Sequence, residues 1–466
     1  MNEYQSPLAT RYASGEMSAI FSERNKVETF RKLWVALAKA QKSLGLPVTD
    51  SQVRQLEDNV SNIDFAKIHQ YETKFKHDVM AHIHAFGDVC PDAKAIIHWG
   101  ATSSYVTDNA ELIQLKQALE LLTHKLLHIV SRLSVLARTH ASDPCLGYTH
   151  FQPAQPTTIG KRICLWLQDF FWDAQEWVSL CPKIPFLGVK GATGTQSSFL
   201  ALFHGNSAQV VELEKQVAAH FGFQHTVPIA GQTYPRKLDI VLVNALASFA
   251  ASAHKWATDF RLLAHEGELL EHFTESQVGS SAMPYKRNPI YTERVCGLSR
   301  FVMSLAQNPL YTAATQWLER SLDDSSNRRL VLPEVFLGVD AVLNLMAHVL
   351  KQPDIRVNDA KLHAEKQLPM LCMENILMHA VKHGADRQQA HEVLRQLAFQ
   401  PASKEEFLAA VEKKLNVPKS EAANLMDLKQ LVGRAPEQVD AFLKHEVEPF
   451  LRAHPGRTIV WMEIDL

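Results

Sequence analysis

Apolar residues recur every three or four positions along most of this 466-residue chain. That spacing places them on one face of a helix, so it predicts a succession of amphipathic helices. The pattern is longest from about residue 108 to residue 139, where Thr107-Asp108 would cap the helix. Because no run of alternating apolar and polar residues indicates a sheet, the predicted fold class is all-α. Further helices are predicted over residues 16–44, 157–180, 236–270, 290–307 and 333–351.

The predicted helices divide into three helical domains. Long helices with scattered polar positions typically pack side by side in a bundle, often across subunits. They fall in the middle of the chain, and beyond Pro353 the helices become shorter and more charged. Loops rich in Gly, Pro, Thr and Gln are predicted at 145–157, 185–197 and 226–235. We therefore predict an N-terminal helical domain over 1–102, a central long-helix bundle over 103–355 and a C-terminal helical domain over 356–466.

Composition and charge argue against several classes of protein. The net charge of −2 gives no general attraction to nucleic acid or to an anionic membrane. The most apolar helical stretch, residues 238–254, is shorter than a bilayer requires and contains Asp239 and Asn244, so it is predicted to be a buried helix. The N-terminus lacks the basic start and apolar core of a secretory signal. Six widely spaced cysteines without a Cys-x-x-Cys pair suit reduced thiols, which favours a cytoplasmic protein.

Residues 279–289 form the most distinctive segment, with the sequence Gly-Ser-Ser-Ala-Met-Pro-Tyr-Lys-Arg-Asn-Pro. Its glycine and two prolines prevent a regular helix, so they predict a loop that carries hydroxyl groups and fixed positive charge. Catalytic groups concentrate on such loops, and Ser280, Lys286 and Asn288 are the candidates here. The alternative is a basic surface loop with a chance pair of serines, because short motifs often match by coincidence.

Histidines supply a second set of candidates. His150 lies in a Pro-containing loop just before a predicted helix, where an imidazole can act as acid or base near neutral pH. An ordinary polar role is the alternative, since the chain has 22 histidines. A metal site built on His77, His82 and His84 fails on spacing, because neither interval places two imidazoles on one helix face. We therefore predict no metal site.

Two clusters suit an anionic ligand. Arg11-Tyr12 lies near the N-terminus, and residues 317–329 contain three arginines and three serines. Arginine forks and serine hydroxyls are common partners of phosphate. The alternative for the second cluster is a solvated charged turn that leads into a helix after Pro333.

Six further motifs accompany the 279–289 loop in a fixed order along the chain. They are Arg11-Tyr12-Ala13-Ser14, Lys76-His77-Asp78-Val79-Met80-Ala81-His82, Gly100-Ala101-Thr102-Ser103-Ser104-Tyr105-Val106, Thr149-His150-Phe151-Gln152-Pro153-Ala154-Gln155, Gly231-Gln232-Thr233-Tyr234 and the segment from Arg320 to Arg329. Together with the loop they resemble the fumarase/aspartase superfamily, and within it the adenylosuccinate lyase family, especially its animal-type branch. The resemblance extends from about residue 10 to the C-terminal helices.

The resemblance implies a carbon–nitrogen lyase of purine biosynthesis that uses no metal or other cofactor. Its substrates would be adenylosuccinate, which gives AMP and fumarate, and the succinylated aminoimidazole-carboxamide ribotide SAICAR, which gives AICAR and fumarate. It also implies a homotetramer in which the central helices form one bundle and each active site takes segments from three chains. Neither nucleic acid nor a membrane is among the implied partners.

The resemblance also implies a role for each candidate residue. Ser280 would be the base that takes the Cβ proton, and His150 the acid that protonates the leaving nitrogen. His77 and Asp78 would support the acid. The succinyl carboxylates would be held by Lys286, Asn288, Thr102 and Ser103. The phosphate, the ribose and the remaining polar groups would be bound by Arg11, Tyr12, Gln232, Arg294, Arg320, Ser325 and Arg329.

Two positions depart from the family pattern, and two alternative functions stay open. Lys76 stands where the animal-type enzymes usually have arginine, and Tyr291 stands where an arginine is expected; both are predicted to affect substrate affinity. Another lyase of the superfamily, such as argininosuccinate lyase or aspartase, is one alternative, although the arginine clusters argue for a phosphorylated substrate. A catalytically silent structural homologue is the other, although His150 and Ser280 are both present.

Overall fold

The computed structural model describes residues 4–273, 281–399 and 403–462, which are predominantly helical. The predominantly helical character predicted from the sequence is therefore confirmed. The N-terminal part begins with a π-helical turn at Leu8–Tyr12. Five helices follow it: α1 (Gly15–Ile20), α2 (Glu23–Ser43), α3 (Asp50–Asp58), α4 (Phe65–Phe75) and α5 (Asp78–Val89).

The middle of the chain contains the longest helices and two small two-stranded sheets. Its elements are α6 (Ser103–Thr139), β1 (Pro144–Thr149), β2 (Gln152–Thr158), α7 (Ile159–Leu180), a 3-10 turn (Cys181–Lys183), α8 (Ser197–Leu202), α9 (Ser207–His220), α10 (Lys237–His265), β3 (Leu269–Leu270), α11 (Ile290–Leu305), α12 (Gln307–Ala314), α13 (Asp324–Lys351) and β4 (Asp354–Ile355). Both sheets are antiparallel: β1 pairs with β2, and β3 with β4.

The C-terminal part consists of short helices. They are α14 (Val357–Lys366), α15 (Leu368–Leu371), α16 (Met373–Lys382), α17 (Arg387–Ala398), α18 (Lys404–Leu415), α19 (Lys419–Asn424), α20 (Leu428–Leu431), α21 (Ala435–Phe442), a π-helical turn (Leu443–Val447) and α22 (Glu448–Ala453). Residues 372–426 enclose a small core of their own, whereas Val439, Leu443 and Val447 return to the main core.

Four local predictions from the sequence need correction. The expected helix over 16–44 is two helices, because Ser22 accepts a hydrogen bond from the backbone of Asn25 and caps a new start. The long helix begins at Ser103, since Asp108 is buried and bonds Arg236 instead of capping. Helix α13 begins at Asp324 and runs through Pro333, and residues 144–158 form a hairpin where a loop was expected.

Helices α6, α7, α10, α11 and α13 pack side by side as a central bundle whose two ends are distinct. At one end Arg236 binds both Asp108 and Asp324, which joins the starts of α6, α10 and α13. We call this the ion-cluster end. At the other, Arg132 near the end of α6 donates to the carbonyl of Lys351 at 3.2 Å, and the β1–β2 hairpin follows α6. We call it the hairpin end.

One helix among the described residues, Asp324–Lys351, is long and apolar enough to span a membrane by length and composition. However, 78% of its most apolar window is buried inside the protein. Core helices of soluble proteins meet the same criterion, so this helix is weak evidence for a membrane span.

Candidate active site

The start of α6 offers polar groups that the fold itself does not use. Thr102 is the N-cap residue, yet its side chain makes no capping hydrogen bond. The first backbone N–H groups of a helix lack partners within the helix, and the helix dipole adds partial positive charge there. Thr102 and Ser103 therefore stand where a carboxylate or phosphate is readily bound.

Gln232 and Arg320 lie close to this helix start. The backbone N–H of Gln232 donates to the carbonyl of Glu319 at 3.1 Å, and Ser104 Oγ donates to Gln232 Oε1 at 3.4 Å. A Cβ atom at Gly231 would lie 2.5 Å from the Glu319 carbonyl oxygen, so this approach requires glycine. The structure thus brings three of the sequence motifs together at the ion-cluster end.

The His77 motif reaches the start of α13. His77 is the N-cap of α5 and accepts from the backbone N–H of Met80 at 3.3 Å, and Lys76 before it has a φ of 54°. Asp78 Oδ2 lies 3.6 Å from Nη2 of Arg329, which is largely exposed. His77, Asp78 and Arg329 are therefore neighbours, although they are distant in sequence.

His98 is a member of this region that the sequence reasoning missed. Trp34 Nε1 donates to His98 Nδ1 at 2.9 Å, so the neutral ring carries its proton on Nε2. Burial, together with the neighbouring charge of His77, lowers the pKa of His98 to about 4, so it is neutral near pH 7. Its φ of 67° is uncommon for a residue other than glycine. The signal in the sequence is its place two residues before the Gly100–Val106 motif.

The arginine cluster divides between the surface and a buried ion cluster. Arg328 is buried, and its Nε lies 2.7 Å from Asp239 Oδ2. Burial opposes its charge, but Glu111 and other acidic neighbours outweigh burial and hold the pKa of Arg328 well above its usual value. Arg320 lies 3.9 Å from Asp324, and Ser325 is half-buried in the first turn of α13. Of the three arginines, only Arg320 and Arg329 remain available to a ligand.

His150 lies at the opposite, hairpin end. It occupies the turn between β1 and β2 together with Phe151, where Thr149 pairs with Gln152. Both turn residues are exposed and have positive φ, 53° for His150 and 55° for Phe151. Two central residues of positive φ are what a tight hairpin turn of type I′ requires. The imidazole is thus presented to solvent at the tip of a hairpin.

The distinctive loop also lies at the hairpin end, between β3 and α11. Lys286 is exposed and its N–H bonds the carbonyl of Met283 at 3.1 Å, whereas Asn288 is half-buried. Ser280, the predicted base, lies outside the described residues. Arg294, in the first turns of α11, has its guanidinium 5.7 Å from the ring centre of Tyr291. Tyr291, which stands where the family pattern has an arginine, is therefore a buried residue that packs under Arg294.

Arg11 and Tyr12 lie beside α13, away from both ends. The π-helical turn that carries them packs against α13, where Ser6 bonds Glu334 at 3.4 Å and the N–H of Ser14 bonds Asp340 at 2.6 Å. Arg11 is exposed, and its guanidinium is 5.9 Å from the Tyr12 ring centre.

Apart from Arg11 and Tyr12, the candidate residues that the structure describes form two groups that are far apart in one chain. Helix α6 has 37 residues, so Thr102 and the base of the hairpin are about 55 Å apart. Even if the hairpin runs back along α6, the six residues of β1 span only about 20 Å. His150 therefore stays at least about 35 Å from Thr102 of the same chain. His150 and Thr102 of the same chain cannot contact one small molecule. Among the residues that the structure describes, no group of three or more His, Cys, Asp or Glu side chains is arranged to hold a metal ion.

The chain is similar to known proteins both in sequence and in fold. Residues 10–304 match the family described as Lyase, and residues 369–442 match the one described as Adenylosuccinate lyase C-terminus. The chain is 47% identical to adenylosuccinate lyase of Schizosaccharomyces pombe over 460 residues, with 96% of this chain and 95% of the relative covered. It is 44% identical to that of Saccharomyces cerevisiae, with 97% and 96% covered. Its fold is similar to that of the 3-carboxy-cis,cis-muconate lactonizing enzyme from Pseudomonas putida, with a TM-score of 0.84, 22% identity, and 96% and 100% covered.

Proposed function

This chain belongs to the adenylosuccinate lyase family, and we propose that it releases fumarate from adenylosuccinate to give AMP and from SAICAR to give AICAR. The observation that carries the proposal is similarity above 40% identity to two adenylosuccinate lyases over almost the whole chain. His150 and Lys286 lie within residues 10–304, which match the family described as Lyase, and this supports the proposal further.

The proposed reaction is a β-elimination in which base and acid act on opposite ends of the broken bond. Ser280 takes the proton from Cβ, the electron pair forms the double bond of fumarate, and the C–N bond breaks. His150 gives its proton to the leaving nitrogen, with His77 and Asp78 in support. Lys286, Asn288, Thr102 and Ser103 stabilise the additional negative charge on the succinyl carboxylates.

Binding of the phosphate and ribose falls mainly to residues of the ion-cluster end. Arg320, Ser325 and Arg329 bind the phosphate and ribose. The start of α6 lies at the same end, and its N-cap side chain makes no capping hydrogen bond, so its backbone N–H groups strengthen an anion site there. The other contacts in this proposal come from Arg11, Tyr12, Lys76, Gln232 and Arg294.

We also propose a homotetramer in which each site takes segments from three chains. The separation of at least about 35 Å between Thr102 and the tip of the hairpin, from helix rise and strand length, supports shared sites. In the proposed tetramer the three helical domains keep the boundaries 1–102, 103–355 and 356–466. The six cysteines are free and buried, which suits the proposed cytoplasmic location.

The test is to incubate the purified protein with adenylosuccinate in the presence of EDTA and to follow AMP and fumarate. Turnover that resists the chelator is expected, and the same assay with SAICAR tests the second reaction. Absence of turnover, or its loss with EDTA, would remove the proposed function as stated.

His150→Ala and Ser280→Ala test the two proposed proton-transfer roles. Each is expected to lower kcat by about 10²–10⁴-fold, the usual contribution of a general acid or base, while AMP binding remains. An active Ser280→Ala variant would place the base elsewhere.

A further inference from the structure

Glu268 is a buried carboxylate at the hairpin end that the proposed mechanism leaves unused. It lies in the turn between α10 and β3 and is 3% exposed. One of its oxygens is 3.3 Å from Nη1 of Arg162, and the other accepts from Nδ1 of His363 at 3.0 Å. We call Arg162, Glu268 and His363 the hairpin-anchor triad.

Each member of the triad comes from a different part of the fold. Arg162, on α7, also donates through Nη2 to the carbonyl of Leu146 in β1. His363 lies on α14, and the side chain of Leu146 packs against C-terminal residues such as Ala364. The triad therefore connects the hairpin, the α10–β3 turn and the C-terminal helices.

A second, half-buried glutamate ties the end of the distinctive loop to the same turn. Glu271 accepts from the backbone N–H groups of Tyr291 at 3.1 Å and Thr292 at 2.7 Å, and from the Thr292 hydroxyl at 2.8 Å. These bonds fix the start of α11, which is where the loop carrying Lys286 ends. Only β3 separates Glu268 from Glu271, so the hairpin and the end of the loop are both held by residues 268–271. We call residues 268–271 the anchor segment.

We propose that Glu268 is a positioning residue, which acts through Arg162 to hold the His150 hairpin in register with this anchor segment. The inference rests on the proposed function, in which His150 is the acid. A proton transfer requires hydrogen-bond distance, and a misplacement of about 1 Å costs about 10²-fold in rate. Loss of the Glu268 charge leaves the half-buried Arg162 cation without its anionic partner, so the guanidinium that holds Leu146 is expected to shift.

Glu268→Gln is the appropriate variant because it removes the charge and keeps the size. A cavity of about 30 Å³, lined mainly by apolar side chains such as Trp166 and Phe260, already adjoins Arg162 and Glu268. Truncation to alanine would enlarge this cavity and destabilise the fold for an unrelated reason. Glu266→Gln is the matched control, since Glu266 carries the same charge two residues earlier and bonds neither Arg162 nor His363 among the described residues.

The experiment compares kcat, KM for adenylosuccinate, AMP binding by calorimetry and melting temperature in the wild type and both variants. Glu268→Gln is expected to lower kcat by about 10–100-fold, with KM and AMP affinity changed less than about threefold, because the phosphate-binding residues lie at the other end of the bundle. Glu266→Gln is expected to match the wild type.

The possible outcomes separate this role from the proposed function. An active wild type with an unchanged kcat in Glu268→Gln would overturn the role alone, and a wild type without turnover would overturn both. Equal losses of kcat and AMP binding would indicate general structural damage and also count against positioning.

If Glu268→Gln fails to fold, two variants of His363 test the positioning role of Glu268 instead. His363→Asn places an amide N–H near the position of Nδ1 and is expected to keep most of kcat, whereas His363→Ala is expected to lose it. Equal kcat values in the two variants would contradict the positioning role.

Discussion

Asp173, on α7, is a buried carboxylate whose second oxygen has no hydrogen-bond partner among the described residues. Its other oxygen accepts from Ser248 at 3.1 Å. Burial raises the pKa of Asp173 to about 6, and the nearby hydroxyl groups of Ser252 and Ser248 offset only part of this. Because the folded pKa exceeds the unfolded one, stability is greatest below about pH 4 as far as this group is concerned, and it declines as pH rises to about 6.

Asp173→Asn is therefore expected to raise the melting temperature at pH 8 and to have a smaller effect at pH 5. A difference of about two pKa units corresponds to a gain of up to about 3 kcal/mol, since one unit is worth about 1.4 kcal/mol. Thermal unfolding at both pH values measures it, with Glu405→Gln, which removes an exposed acid on α18, as the control. An equal shift at the two pH values would contradict the pH linkage.

At the scale of the residue, the sequence indicated which side chains are present but not which of them face a ligand. The three arginines at 320, 328 and 329 formed one predicted phosphate cluster. Arg328 is instead neutralised by Asp239, which is 89 positions away in sequence, and no local pattern reveals that partner. His98 was missed for the same reason, because its neighbours Trp34 and His77 become visible only in the fold.

Gly160 shows how closely two elements approach at the hairpin end. A Cβ atom there would lie 2.3 Å from the carbonyl oxygen of Ala137 and 2.7 Å from Cα of Ala141, and both atoms are backbone. Gly160→Ala is expected to destabilise the protein by about 1–3 kcal/mol, the usual cost of overpacking, and to lower the melting temperature.

Gly297, inside α11, provides the matched control. A Cβ atom at Gly297 meets nothing within 4 Å, so Gly297→Ala is expected to stabilise the helix by about 0.5–1 kcal/mol. If Gly160→Ala melted at or above the wild-type temperature, the close approach of α6 and α7 would be wrong.

At the scale of the element, apolar spacing predicted the long helices well, with ends displaced by several residues. The sequence did not predict the hairpin, because β2 has the sequence Gln-Pro-Ala-Gln-Pro-Thr-Thr and prolines normally indicate a loop. What makes it a strand is pairing with β1, which depends on residues outside the segment. The sequence predicts a helix only from residue 333 onwards, because the burial of Arg328 and Asp324, which lets α13 begin at Asp324, cannot be seen locally.

At the scale of the whole molecule, the two distant groups of candidate residues lead to a complementation prediction. His77→Ala removes a group at the ion-cluster end, and His150→Ala removes one at the hairpin end. If a site takes these residues from different chains, random mixing leaves both intact in about one quarter of sites of a symmetric homo-oligomer. Mixed subunits are therefore expected to recover up to about a quarter of wild-type activity.

The measurement is turnover after the two inactive variants have exchanged subunits. Native mass spectrometry monitors the exchange. Each variant exchanged with itself serves as the control. Mixed oligomers that stay inactive would show that His77 and His150 of one site come from the same chain.

The family resemblance, and no feature of the hydrophobic pattern, predicted shared sites. Periodicity indicated long helices, but it cannot indicate on which chain the partner surface lies. The division into three domains stays a prediction, and two residues of the predicted C-terminal domain, Val439 and Leu443, pack into the main core.

The turn that carries His150 has a consequence for how this protein can be improved. Positive φ at both turn positions favours asparagine and glycine, yet the chain places an imidazole and a phenyl ring there. His150→Asn is therefore expected to melt at a higher temperature than the wild type while it loses turnover. Selection for thermal stability alone would remove the proposed acid, so directed evolution of this protein must screen for activity at the same time.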